Sequence, residues 1–219
     1  MTVAPRLLVY GAGGHGKVVA DVARSAGFDV VGFIDDDPER ERSGVWGLPV
    51  LSWDRLLAER ASVAGVAVAL GVGDNEARER CHERLLAAGF DVVTVVHASA
   101  VVAPTARIGE GSVVMALAAV NPDAEVGAGA ILNTGSVVEH DCRVGRFVHL
   151  SPKCVLGGAA RVGDRTHVGM GAVVFPGIAV GASVRVGAGS VVHRAVADGL
   201  TVVGVPARTI PPILRTESK

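Results

Sequence analysis

From Val126 to Leu156 the chain reads VGAGAILNTGSVVEHDCRVGRFVHLSPKCVL, with Val126, Leu132, Val138, Val144, Leu150 and Leu156 six residues apart. The series starts at Val102 and runs through Ile108, Val114 and Val120 into this stretch. It then continues through Val162, Val168, Val174, Val180 and Val186 to Val192 without a slip. If about a quarter of residues were Val, Ile or Leu, such an unbroken series would arise by chance on the order of once in billions. Four residues after each aliphatic stands a small or β-branched residue, beginning Ala106, Ser112, Ala118, Ala124, Ala130, Ser136 and Cys142. Glycine often follows the aliphatic directly, as at Gly109, Gly127, Gly145, Gly163, Gly169, Gly181 and Gly187. A period of six matches neither an α-helix nor an alternating strand. It is the period of a β-solenoid, in which each hexad is a short strand plus a turn. The aliphatic is expected inside the prism, the small residue near a corner, and glycine where it relieves the turn. Three hexads make one triangular coil, so the series makes five coils, a prism roughly 24 Å tall at about 4.8 Å per coil.

Residues 1–97 lack this period. Leu7–Tyr10, Asp29–Ile34, Val66–Val72 and Val92–Val96 read as strands, and Lys17–Ala26 and Asn75–Ala88 as helices. Strands alternating with helices predict a small Rossmann-like parallel α/β domain. The expected organisation is therefore an α/β domain over 1–97, with His97–Val101 at the junction, and a solenoid domain with a C-terminal tail over 98–219. A further short strand is expected at Leu200–Val203. The 219 residues are 49% hydrophobic but only 4% aromatic, with 29 glycines, which suits narrow repetitive packing. Lys plus Arg is 21 against 22 Asp plus Glu, so nothing suggests a nucleic-acid binder. No apolar run reaches the roughly 18 residues of a membrane span, and Leu7–Tyr10 is too short for a signal peptide. The three cysteines form no CxxC pair. A cytoplasmic protein is expected.

Gly11, Gly13 and Gly16 in GAGGHG satisfy GxGxxG between a strand and a helix, with Asp35 and Asp36 closing the second strand. The helix N-terminus offers free N–H groups to a phosphate. An NAD site is weakened by the size of the α/β part, half of a full dinucleotide-binding sheet, and by His15 inside the loop. A nucleotide or nucleotide-sugar is the favoured ligand; a purely structural turn is the bland alternative. Gly73-Asp74-Asn75-Glu76 follows a strand and falls at the same edge of the sheet, where open α/β sheets bind ligands.

Residues 18 apart stack in the solenoid. His149, His167 and Arg185 form one outward column, Asn133, Ser151 and Gly169 another, and Gly158 stands above His140. No metal site is expected, because the two stacked histidines lack a third ligand: Cys154 points inward and Val113 is no ligand. His140 lies two residues after an inward aliphatic, in Glu139-His140-Asp141, and should emerge at a face or edge. An imidazole there can take a proton from an amine or hydroxyl, oriented by Asp141 or Glu139. The Gly158 N–H could meet a developing oxyanion. Cys142 and Cys154 fall on inward positions, which argues against an acyl-cysteine intermediate. His82 reads as a solvated helix face, and His193 as the solenoid's end.

GAGGHGKV, IDDD, GVGDNEARE, NTGSVVEHDCRVGRFVHLSP and GVPAR together resemble the NeuD/PglD-type sugar acyltransferases over nearly the whole chain. The resemblance implies a left-handed β-helix and a homotrimer with acetyl-CoA between neighbouring solenoids. It implies acetyl transfer to the 4-amino group of a nucleotide-linked amino-deoxy sugar, a UDP-4-amino-4,6-dideoxy sugar foremost. His140 would be the general base and Asp141 the residue that raises its basicity. Gly158 would present its amide to the thioester oxygen. His149, Met170 and Ala188 would contact acetyl-CoA, and Asn133 the substrate. Gly13, Gly14 and His15 would hold the pyrophosphate, Asp35 and Asp36 the nucleotide, and Gly73 would lie beside the base. Where some members carry serine, this loop has Gly13. The rival readings are sialic-acid-type O-acetylation and a non-catalytic nucleotide-binding scaffold.

Overall fold

A computed structural model describes residues 4–211. The expected domain bounds, 1–97 and 98–219, therefore run past the described residues at both ends. The N-terminal part is built from β1 (Arg6–Tyr10), α1 (Gly14–Ser25), β2 (Asp29–Ile34), α2 (Pro38–Ser43), β3 (Val50–Leu51), α3 (Trp53–Ala58), β4 (Ala67–Leu70) and α4 (Asn75–Ala87). The sheet order is β3-β2-β1-β4, all parallel. The chain crosses from one side of β1 to the other, so the loops after β1 and β4 open side by side at the strands' carboxyl ends, the ligand-binding edge of such sheets. In α1 the residues Gly16, Val19, Ala20 and Ala23 are buried, the spacing of a helix with one inward stripe.

Two of the loop glycines are there for close approach. Gly11 has φ +110°, and a Cβ on it would lie 2.6 Å from the Gly71 carbonyl oxygen. Gly16 packs its Cα directly against the Gly11 carbonyl, leaving no room for any side chain. The loops after β1 and β4 are thereby pressed together.

The C-terminal part is a left-handed parallel β-helix with three sheets. One face, here the docked face, stacks Val95–Val96, Val113–Val114, Ile131–Leu132, His149–Leu150, His167–Val168 and Arg185–Val186, and Thr201–Val203 continues it. The aliphatic face stacks Val101–Val102, Ala119–Val120, Val137–Val138, Val155–Leu156, Val173–Val174 and Val191–Val192. The charged face stacks Arg107–Ile108, Glu125–Val126, Arg143–Val144, Arg161–Val162 and Ala179–Val180. Within the hexad series every partner lies 18 residues away, as at His149↔His167, and the last step, Arg185↔Thr201, is 16. The hexad aliphatics from Val114 to Val192 and the small residues four on fill a single core. Val102 and Ile108 are only partly buried, because they cap its lower end.

The structure changes the sequence-based picture in three places. Val92–Val96 is not one strand: Val92 makes a single parallel bridge to Val68, whereas Val95–Val96 pairs with Val113–Val114 and opens the solenoid. The glycine after each aliphatic is not in a left-handed conformation. Gly127 is small because a Cβ would lie 2.7 Å from the Arg146 nitrogen of the next coil. The left-handed φ falls three residues after the aliphatic, at Leu117, Asp123, Asp141, Phe147 and Lys153 as well as at glycines. Finally, His82 is 4% exposed and meets Phe147 edge-on at 5.4 Å. Its helix face is covered by the solenoid rather than by solvent.

Candidate active site

The docked face explains its own burial. Val95, Val113 and Ile131 share a core with Val19, Ala20 and Ala23 of α1, so the α/β domain sits on the first coils of this face. The next outward residues in the same column are His149, His167 and Arg185. They emerge just beyond the docked helices, where the loops after β1 and β4 overhang the solenoid. His15, Gly73, Asp74, Asn75, His149, His167 and Arg185 line a cleft of about 480 Å³ there.

The rings of His149 and His167 stack at 4.8 Å, and His15 lies 6.1 Å from His149. Burial first, then the neighbouring His167, Arg78 and His15, push the His149 imidazole down to about 3. His15 falls to about 4, through burial and then Arg78. His167 is lowered by burial and by Arg185. All three are therefore neutral imidazoles near pH 7. Asn133 Oδ1 accepts from the Thr134 N–H, which turns its amide nitrogen toward His149 Nε2 at 3.1 Å. Nε2 is thus the acceptor and the proton sits on Nδ1. That nitrogen is buried with no hydrogen-bond partner, and the Gly73 backbone lies beside the ring. One coil on, Ser151 Oγ repeats the contact with His167 Nε2 at 2.7 Å.

His140 occupies a different corner, the edge where the aliphatic face turns into the charged face. The left-handed φ of Asp141 (61°) brings two consecutive side chains together, with His140 Nδ1 2.8 Å from Asp141 Oδ2. Aspartate tolerates that conformation better than most residues. The carboxylate's hydrogen bond, with Glu139 nearby, holds the imidazole above its ordinary value. With Nδ1 occupied, Nε2 is the free basic nitrogen. It lies against Gly158, where a Cβ would come within 2.6 Å of it. The Gly158 N–H has no acceptor among the described residues.

The remaining candidates fall into two further groups. Asn133, Met170 and Ala188 lie on the edge where the docked face turns into the aliphatic face, and Met170 is 61% exposed. Asp35 and Asp36 directly follow β2. Asp35 accepts from Ala12 N–H at 2.8 Å, and Asp36 accepts from Trp53 N–H and Arg84 at 3.0 Å each. Both line a second cleft of about 540 Å³ with Tyr10, Cys81 and Arg84. Gly13 caps α1 without a side-chain hydrogen bond, and Gly14 has open space above it. Within one chain the structure therefore brings His15, Gly73, Asn133 and His149 together, and His140, Asp141 and Gly158 together. The two groups sit on different sides of the prism. Among the described residues no group of three or more His, Cys, Asp or Glu could hold a metal ion.

One residue of the site escaped the sequence reading. Arg78 is 0% exposed and touches both domains. It stands with His82 and Leu85 on the buried stripe of α4. In NEARERCHERLLA that stripe is polar enough to pass for a solvated face, and only its i, i+4, i+7 spacing hints at burial.

A family model described as the PglD N-terminal domain matches residues 6–85. The acetyltransferase domain of PglB from Neisseria gonorrhoeae FA1090 superposes with a TM-score of 0.87 at 39% identity, covering 94% of this chain and 100% of that one. PerB from Caulobacter crescentus, solved with CoA and GDP-perosamine, superposes with a TM-score of 0.87 at 41% identity, covering 94% and 97%. UDP-N-acetylbacillosamine N-acetyltransferase from Bacillus subtilis (strain 168) is 40% identical over 110 residues, 48% of this chain and 49% of that protein. The match thus spans about half the length of that curated relative. With two full-length structural relatives near 40% identity, the chain belongs to the NeuD/PglD family of hexapeptide-repeat sugar acetyltransferases.

Proposed function

We propose that the protein transfers the acetyl group of acetyl-CoA to the 4-amino group of a nucleotide-linked amino-deoxy sugar, with His140 as general base. The observation that carries this reading is the His140–Asp141 pair, open to solvent and set against Gly158. Asp141 accepts from Nδ1–H and leaves Nε2 to take the proton that the amine loses as its nitrogen attacks the thioester carbon. The Gly158 amide, free of any acceptor among the described residues, would donate to the oxygen on which negative charge then develops. When the carbon–sulfur bond breaks, the imidazolium returns the proton to the departing thiolate. Cys142 and Cys154 are buried inside the prism, and burial pushes the Cys154 thiol up to about 12, so direct attack is favoured over an acyl-cysteine. PerB binds GDP-perosamine and the Bacillus subtilis relative is named for a UDP-sugar, which supports a nucleotide-linked acceptor here. A UDP-4-amino-4,6-dideoxy sugar is the foremost substrate. Its pyrophosphate would lie over Gly13, Gly14 and His15, with Asp35 and Asp36 holding the nucleotide and Gly73 beside the base.

The working form in this reading is a homotrimer. The outward column of the aliphatic face is Val101, Ala119, Val137, Val155, Val173 and Val191, exposed at Val101 and half-buried along the rest. Val101 is 70% exposed, and Leu117, Met170 and Phe175 flank the same face. A contiguous apolar face of this kind marks an association surface. Its two long edges carry the two separated groups, Asn133, Met170 and Ala188 on one and His140 and Gly158 on the other. Packing copies about a three-fold axis would bring the His140 edge of one against the Met170 and Ala188 edge and the His149 cleft of the next. Acetyl-CoA would occupy that seam. No described helix is long and apolar enough to cross a membrane. Acetyl-CoA and nucleotide-sugars are cytoplasmic metabolites, which supports a reaction in the cytoplasm. Turnover of acetyl-CoA with UDP- and GDP-linked 4-amino sugars tests the reading.

A further inference from the structure

Arg78 is the most completely buried charge among the described residues, and no carboxylate lies within ion-pair distance of it. Burial lowers its guanidinium to about 10, against the favourable fields of Asp74 and Glu79. An isolated buried cation is costly unless every donor is satisfied. Here backbone oxygens from three separate segments do this. Nε donates to Gly129 O at 2.7 Å and Nη2 to Phe147 O at 2.8 Å, in two successive coils of the solenoid. Nη1 donates to Gly73 O at 3.1 Å and Val72 O at 3.2 Å, in the loop after β4. Nη2 also donates to Asn75 Oδ1 at 2.8 Å, and Asn75 Nδ2 in turn donates to Arg165 O at 2.8 Å in the solenoid. The guanidinium is planar and its donors form a rigid fork, so one side chain fixes the relative placement of all three segments.

The loop it holds is the one that meets the histidine column. Gly73 and His149 line one cleft, the Gly73 backbone beside the imidazole whose tautomer Asn133 sets. We propose that Arg78 is a positioning residue of the transfer reaction, setting where the Gly73 loop of the nucleotide-binding domain stands over His149 of the solenoid. This rests on the reading that the loop after β4 holds the nucleotide. A merely structural Arg78 would govern only how much protein folds. A positioning Arg78 governs nucleotide affinity in protein that is folded, and does so more strongly than CoA affinity, which the loop reaches only through His149.

The test uses the full chain and its Arg78→Lys and Arg78→Gln variants. The lysine keeps the charge but loses the fork. The glutamine removes the buried charge and keeps an amide donor, so the pair of variants does not hinge on an unsatisfied ammonium. UDP, GDP and CoA are titrated calorimetrically into each, after thermal melts have established the folded fraction. The expected result is that the nucleotide bound by the unaltered protein binds at least tenfold more weakly to both folded variants, with a several-fold smaller loss for CoA. A matching rise in KM for the sugar-nucleotide, larger than the fall in kcat, is expected. Unchanged nucleotide binding in either folded variant, or equal losses for nucleotide and CoA, would overturn the proposal. If the unaltered protein bound CoA but neither nucleotide, the nucleotide-sugar reading itself would fall, and this inference with it.

Discussion

Gly158 stands one coil above His140, and a side chain on it would meet the imidazole: an ideal Cβ falls 2.6 Å from Nε2. Two residues 18 apart in sequence thus define one small surface, a base nitrogen beside an open backbone N–H. Gly158→Ala is expected to push the ring off this position while leaving the coil intact. The cost should be about ten- to a hundredfold in kcat/KM, the scale of a misplaced catalytic group, with the melting temperature little changed. Full activity in Gly158→Ala would separate the glycine from the chemistry.

Asp141 holds His140 above the ordinary histidine range, where an unperturbed imidazole titrates near about 6.5. The base works only when neutral, so activity should fall as pH drops through this raised value. The acid limb of kcat/KM is expected above about 6.5 in the natural sequence, and lower in Asp141→Asn. An acid limb that does not move on this substitution would remove Asp141 from its assigned role.

His149 and His15 show the opposite shift, to about 3 and about 4. Both are neutral in the folded chain, whereas in the unfolded chain they bind protons below about 6.5. Their contribution to stability is fully present above about 6.5 and is lost progressively as pH falls toward the folded values. Melting temperatures are expected to decline between about pH 6.5 and 5, and to decline less steeply in His149→Gln. Equal slopes for the two proteins would contradict the buried neutral imidazole.

The aliphatic face predicts assembly. Light scattering should report three times the 22.3 kDa chain. Val155→Glu, which puts a charge in the middle of the Val137–Val155–Val173 column, should yield smaller species with much reduced turnover if, as proposed, each site is shared by two copies. A fully active monomer would refute the shared site.

The solenoid was legible because its period is set by geometry: each coil must return an aliphatic to the same corner, so Val114 to Val192 announce themselves without reference to anything distant. The stacking of His149 on His167 and of Gly158 on His140 followed from the same 18-residue arithmetic. What the sequence did not show is how the two domains meet. Arg78 and His82 look like solvated helix residues because the groups that bury them, the Gly129 and Phe147 carbonyls and the Phe147 ring, are supplied by another domain with no shared period. The short elements between 38 and 58, α2, β3 and α3, were missed for a related reason. They are too brief to display a period, and α3 is held by a cap from afar, Asp36 accepting from Trp53 N–H.

The central claim is that His140 deprotonates an amino sugar attacking acetyl-CoA. Its most direct test is thiol release from acetyl-CoA by the purified protein and by His140→Ala, with UDP- and GDP-linked 4-amino-4,6-dideoxy sugars and sialic acid as acceptors. The account predicts turnover with a nucleotide-linked amino sugar and a loss of at least about a hundredfold in His140→Ala, the usual worth of a general base. Turnover with sialic acid alone, or near-undiminished turnover in His140→Ala, would contradict it.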